Sequence, residues 1–173
     1  MASPTCHMLI GPPGCGKSTL ARRWVEQFPP TVWVSTDAIR QTLYGDARIQ
    51  GDWSKIEAEV IRQIKGAIAL HRPVIYDATN AHRDWRIDLL QKLSDEPVRW
   101  IGWVFHTPLA VCQQRNQQRE RHVDAAVIEQ FHHWLEDSPP SPSEGFAAIH
   151  PVPMKGNDFN LELIHILTQS LQP

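Results

Sequence analysis

His7-Met8-Leu9-Ile10-Gly11-Pro12-Pro13-Gly14-Cys15-Gly16-Lys17-Ser18-Thr19-Leu20-Ala21 joins a short apolar run to a segment in which Leu20, Ala21, Trp24 and Val25 recur at helical spacing. The run predicts a buried strand, the recurrence predicts a helix, and the stretch between them has to turn sharply from one into the other. Glycines let such a loop curl until its amide N–H groups face inward, and the start of the helix adds partial positive charge at the same point. The result is a cradle for phosphate groups.

The spacing itself, Gly11, four residues, then Gly16-Lys17-Ser18, is the Walker A pattern. In that pattern the lysine reaches the β- and γ-phosphates and the following hydroxyl ligates Mg²⁺. Gly11, Pro12, Pro13, Gly14, Cys15, Gly16, Lys17, Ser18 and Thr19 are therefore expected to hold ATP, with Ser18 on the metal. A glycine-rich turn before a purely structural helix is the plain alternative, and the agreement of both flanking elements argues against it. No Asn-Lys-x-Asp segment that would read guanine occurs in the chain. Cys15 admits two readings. It is either the small residue that fits the loop or a thiol whose pKa the inward amides and Lys17 lower.

Outward from the loop, residues 6–10, 31–35, 73–76 and 98–105 read as short buried strands, and 146–152 as a strand confined to an edge by Pro151 and Pro153. Helical patterns run over 17–28, 37–44, 54–71, 83–93, 108–121, 124–136 and 158–171. Strands alternating with helices predict an α/β protein with a central parallel five-stranded sheet flanked by helices, and the Walker A loop after the first strand makes the expected architecture the P-loop NTPase fold. Residues 108–136 are expected to form a helical lid within a single domain spanning 1–173. Ser138-Pro139-Pro140-Ser141-Pro142-Ser143 is too proline-rich for helix or central strand and reads as a spacer.

Composition narrows the setting. The chain has 173 residues, 42% hydrophobic and 21% charged, ordinary proportions for one globular domain. It has no apolar run long enough to span a membrane and opens without a secretory leader pattern, so a cytoplasmic location is expected. Cys6, Cys15 and Cys112 form no paired motif, which predicts neither a disulfide nor a zinc partner. His132 and His133 are adjacent on a predicted helix and point in different directions, a poor start for a metal site. The net charge of −2 offers no global attraction to nucleic acid, so an anionic partner has to be held by a local basic patch.

Three groups beyond the loop carry acceptor chemistry. Asp37 follows the second strand and opens a helix at the carboxyl edge of the sheet, where ligands of open α/β folds bind. It either accepts a proton from an attacking hydroxyl or simply complements the helix dipole. Arg40, three residues on, shares its face and can hold an anionic substrate group. Asp77-Ala78-Thr79-Asn80 ends the third strand at the same edge. Asp77 either reaches Mg²⁺ or supports the loop, and Asn80 either donates to substrate or caps the helix near Arg83. Arg115 and Arg119, four apart in the expected lid helix, share a face on which a polyanion relieves their repulsion. A solvated basic face is the alternative.

GPPGCGKST, STDAIR, DATN and CQQRNQQR, followed by HVDAAVIEQFHHWLE, stand in this order over residues 7–136. Together they resemble the P-loop kinases related to the kinase domain of polynucleotide 5′-kinases. The resemblance implies that Lys17 and Ser18 bind ATP·Mg²⁺, Asp37 is the general base, Arg40 contacts the acceptor's phosphate, and Arg115 and Arg119 are lid arginines on the ATP phosphates. It also implies that the Walker A strand lies in the middle of the sheet, and that the acceptor is the 5′-hydroxyl of a polynucleotide. A small sugar, nucleoside or antibiotic hydroxyl, or a non-catalytic ATP-binding regulatory role, uses the same loop. Beyond Arg40, only Arg83 and Arg86 offer a start to a nucleic-acid track. Trp53 and Trp85 are either platforms for a base or, the simpler reading, partly buried core.

Overall fold

β1 (Thr5–Ile10) is buried at every position, the pattern of a strand covered on both faces. In the computed structural model, which describes residues 4–120 and 122–170, β1 lies at the centre of a five-stranded sheet. Its partners are β2 (Val32–Ser35), β3 (Val74–Asp77), β4 (Arg99–Val104) and β5 (Ala148–Pro151), in the order β2-β3-β1-β4-β5 and parallel throughout. This is the expected α/β architecture with the loop-bearing strand in the middle. β5 is the edge strand, as its prolines require.

Helices cover both faces. Met8, Ile10, Val34, Val74 and Tyr76 face α2 (Thr36–Tyr44), α3 (Trp53–Ala69) and α4 (Arg83–Lys92) through Ile39, Ile56, Val60, Ile64, Leu89 and Leu90. The opposite face presents Leu9, Ile75, Ile101 and Trp103 to Leu20 and Trp24 of α1 (Lys17–Gln27). α3 packs because Ile56, Val60, Ile64 and Ala67 fall on one stripe at intervals of three and four. Its N-terminus is closed by Asp52, which accepts from the Ser54 N–H at 3.0 Å, a cap worth about 1 kcal/mol. Among the described residues, no helix is long and apolar enough to cross a membrane.

Residues 108–136 differ from their expected form. α5 (Leu109–Gln117) stops short because the buried Asn116 amide accepts from the Val123 N–H at 2.9 Å and donates to the Val123 carbonyl at 2.7 Å. That clamp folds the chain back into α6 (Ala125–Asp137), capped by Asp124. Arg119 consequently sits in the turn after α5 and does not share a helical face with Arg115; Arg121, the expected helix end, lies outside the described residues. Near the C-terminus, residues expected to start a helix at 158 instead form an antiparallel hairpin of β6 (Met154–Lys155) and β7 (Asp158–Phe159). Gly156 supplies its positive φ of 62°, and α7 (Leu161–Gln169) starts only after Asn160 caps it. Leu171, the expected helix end, and Met1 to Ser3 also lie outside the described residues.

The proline-rich spacer has a structural task. Its 3₁₀ turn, Pro142–Glu144, carries the Glu144 carboxylate into the interior, where it meets Arg86 of α4 through two hydrogen bonds of 2.6 and 2.8 Å. Arg86 also donates to the carbonyls of Asn80, Ala81 and Ser138. This side chain is completely buried, so it offers nothing to a nucleic-acid track.

Candidate functional site

The loop between β1 and α1 has the backbone that the glycines predict. Gly14 and Gly16 take φ of 86° and 112°, and a Cβ on Gly14 would stand 2.4 Å from the Cys112 carbonyl oxygen. Both geometry and space therefore demand glycine at position 14. Gly16 caps α1 and leaves the helix N-terminus directed into the loop. Lys17 Nζ lies against the loop, donating to the Gly11 and Pro12 carbonyls at 2.8 and 2.9 Å.

Two strand ends converge on this loop. The Gly11 N–H donates to the Thr79 carbonyl at 3.1 Å, and the Asn80 amide donates to the Leu9 carbonyl at 2.8 Å and the Ala78 carbonyl at 3.2 Å. Asn80 thus fastens the end of β3 to the end of β1, and its amide hydrogens are committed to backbone. It does not cap α4: His82 does, accepting from the Asp84 N–H. Asp77 is buried between Leu9 of β1 and Ser35 of β2 in the sheet register. It accepts from the Trp33 indole N–H at 3.3 Å and from the Ser18 hydroxyl. Burial raises its carboxyl pKa, the nearby Lys17 opposes that rise, and Asp37 adds to it. Ser18 and Asp77 thus bring a hydroxyl and a carboxylate together, oxygen groups of the kind that hard divalent cations prefer.

Asp37 stands in the first turn of α2, after Ser35 has capped the helix by accepting from the Ala38 N–H. Its carboxylate is exposed and pairs with Arg40 at 3.2 Å, as the spacing of three predicts. Arg115 Nη1 donates to the Cys15 and Gly14 carbonyls at 3.4 and 3.5 Å, so this arginine is docked on the phosphate loop itself.

These groups surround one cleft of about 930 Å³, whose walls include Lys17, Ser18, Asp37, Arg40, Asp77, Asn80 and Arg119. Of the two arginines expected in a lid, Arg119 lines the cleft and Arg115 braces the loop. Sequence reasoning missed Arg22, Glu57 and Asp88 on the walls. It also preferred a core position for Trp53 and Trp85. They are instead 50% and 47% exposed and line the same cleft. The spacing of Trp53-Glu57-Val60 and Trp85-Asp88-Leu89 places each trio on one helical face, but Val60 and Leu89 are buried, so the same spacing reads equally as a core face.

Cys15 corrects one of its readings. Its thiol is 2% exposed and packs with Leu9, Leu20, Phe105 and Cys112. Burial raises its pKa and outweighs Lys17 beside it, so the thiol is a packing group and not an activated one.

A central five-stranded parallel sheet flanked by helices, with a Walker A loop at the end of its middle strand, defines a P-loop kinase-like domain. Residues 6–138 match the model of the AAA domain, and the chain belongs to that family. No curated protein matches the chain. Among solved structures, the fold is shared with a chain of the Pnkp1/Rnl/Hen1 RNA repair complex, at TM-score 0.69 and 19% identity over 80% of this chain and 46% of that one. A fungal RNA kinase matches at TM-score 0.68 and 17% identity over 99% of this chain and 44% of that one. A gluconokinase from Sinorhizobium meliloti matches at TM-score 0.60 and 17% identity over 99% and 95% of the two chains. The chain thus spans less than half the length of the RNA repair and RNA kinase chains it resembles, whereas the gluconokinase is matched nearly end to end.

Proposed function

We propose that the protein transfers the γ-phosphoryl group of ATP to a hydroxyl, in a single domain with residues 108–136 as its lid. The observation that carries this is the presence of Asp37, beside Arg40, in the same cleft as Lys17, Ser18 and Asp77. Lys17, the loop amides and Arg119 hold the phosphates, and Ser18 with Asp77 holds Mg²⁺. Asp37 accepts the proton of the attacking hydroxyl as its oxygen bonds to the γ-phosphorus and the bond to ADP breaks. The proton then passes to solvent.

The 5′-hydroxyl end of a polynucleotide is the acceptor the sequence resemblance implies, and Arg40 supports it as a cation beside the base. A smaller hydroxyl compound is favoured by a different observation. The wall built from α2, α3 and α4 carries Glu57 and Asp88, and Arg40 is the only cation among its described cleft-lining residues.

Incubation of the protein with γ-labelled ATP and Mg²⁺, against 5′-hydroxyl oligonucleotides and a panel of small hydroxyl compounds, tests the reading. Label on an acceptor supports it. ATP binding without transfer to any acceptor sinks it and leaves a regulatory nucleotide-binding module.

A further inference from the structure

The cleft divides by charge. Lys17 and Arg22 stand on α1 and Arg119 on the lid, so the phosphate side is cationic. On the facing wall Arg40 is accompanied by Asp37, Glu57 and Asp88, the last two held by Lys92 at 2.8 and 2.6 Å. A polyanion bound along this wall would need several cations, because affinity for nucleic acid rests largely on phosphate neutralisation. One arginine reads at most one phosphate.

The same wall offers a different kind of contact. Trp53 opens α3 and Trp85 lies in the first turn of α4, and each leaves about half of its surface exposed in the cleft. Trp85 is held in place by three rings: His82 at 5.4 Å, and Trp134 and Phe131 at 5.5 and 6.0 Å in near-perpendicular contacts. An indole fixed in this way loses little freedom when a ligand arrives. Val127 and Phe131, four apart on α6, extend the apolar surface on the lid side.

We propose that Trp53 and Trp85 form the platform for a planar heterocycle on the acceptor, so that the substrate is a nucleoside or the terminal nucleotide of a single strand, recognised by its ring and by no more than one phosphate. This inference rests on the phosphotransfer reading. It adds that the hydroxyl presented to Asp37 belongs to a molecule whose base stacks on indole, and that any further strand leaves the protein without a track. A base that is paired and stacked at a duplex end cannot reach the platform. Single-stranded ends are therefore preferred to blunt ones, and binding is weakly dependent on salt.

The test compares Trp85→Ala and Trp85→Phe with wild type, using adenosine 3′-phosphate and glycerol as acceptors. Stacking on one aromatic residue changes affinity by about 5- to 150-fold. Trp85→Ala is expected to raise KM for the nucleotide by that factor with kcat little changed, Trp85→Phe to restore most of it, and glycerol to be a poor acceptor for all three. Equal KM in Trp85→Ala and wild type overturns the platform, as does glycerol serving as well as the nucleotide. Quenching of tryptophan fluorescence by adenosine 3′-phosphate without ATP gives a second readout. It is expected in wild type; in Trp85→Phe the quenching of Trp53 is expected at a similar nucleotide concentration, and in Trp85→Ala only at a higher one. If no acceptor is phosphorylated the transfer reading fails, and the quenching still decides the platform: no quenching overturns it.

Discussion

Arg86 of α4 and Glu144, 58 residues further along, form an ion pair in which neither side chain is exposed. The pair ties the proline-rich turn to the loop after β3, because Arg86 also holds the Asn80 and Ala81 carbonyls. The floor of the cleft thus depends on a residue that touches no substrate. Removing one partner leaves the other charge buried without its main counter-charge, with only the half-exposed Arg83 at 3.9 Å near Glu144; such a loss costs about 3–5 kcal/mol, whereas replacing both with apolar groups of similar volume is often neutral. Arg86→Met is expected to lower stability by that amount in urea unfolding, and Arg86→Met with Glu144→Leu to recover most of it. Equal stability of Arg86→Met and wild type would refute the account.

Asp37 is expected to separate chemistry from folding. Its side chain is 56% exposed and its pair with Arg40 lies at the surface, where such pairs are worth about 0–1 kcal/mol. Asp37→Asn should therefore unfold close to wild type and bind ATP equally well, while phosphoryl transfer falls by about 10²–10⁴-fold, the usual contribution of a general base. Transfer at the wild-type rate would remove Asp37 from the mechanism.

The thiols are expected to be inert in the folded protein. Cys6, Cys15 and Cys112 are all buried. Burial pushes Cys6 up to about 12 and Cys112 up to about 11, and raises Cys15 as well. Titration with a thiol reagent at pH 8 should report negligible fast reaction in the native state and full reaction in denaturant. A fast native thiol that ATP protects would reinstate Cys15 as an activated group.

His7, on the central strand, sets an acid limit to stability. It is buried against Trp24, accepts from the Trp103 indole N–H at 3.1 Å, and burial pushes its pKa down to about 3. Unfolding returns it to an ordinary value near 6.5, so between about pH 6.5 and 3 the unfolded chain binds the extra proton. Stability from this group is whole above that window and is lost as pH falls through it, by up to about 1.4 kcal/mol per pH unit. His7→Gln should flatten the dependence of the unfolding midpoint on pH in this range. An unchanged slope would show that other groups set it.

How much could be read in advance follows from how far apart the interacting residues are. The phosphate loop was legible because its glycines, lysine and hydroxyl act within nine consecutive positions, and the Asp37–Arg40 pair because both lie on one turn of α2. The strands were legible because a parallel sheet buries both faces and leaves nearly continuous apolar runs such as Cys6–Ile10, broken only by His7. The end of α5 was not, since it depends on Asn116 finding Val123 across a turn. Nor was the exposure of Trp53 and Trp85: an indole at a helix start reads alike whether a neighbouring helix covers it or stands across a cleft from it.

The sequence by itself determined the strands of the parallel sheet, their alternation with helices along the chain, and the phosphate cradle, because these rest on periodicity and on local backbone geometry. Only the tertiary structure decided that Arg86 is consumed by Glu144, that Arg115 braces the loop while Arg119 faces the cleft, and that two tryptophans line the cleft. Charge pairing and solvent exposure are properties of surfaces brought together from distant parts of the chain, and no spacing along it encodes which surface meets which.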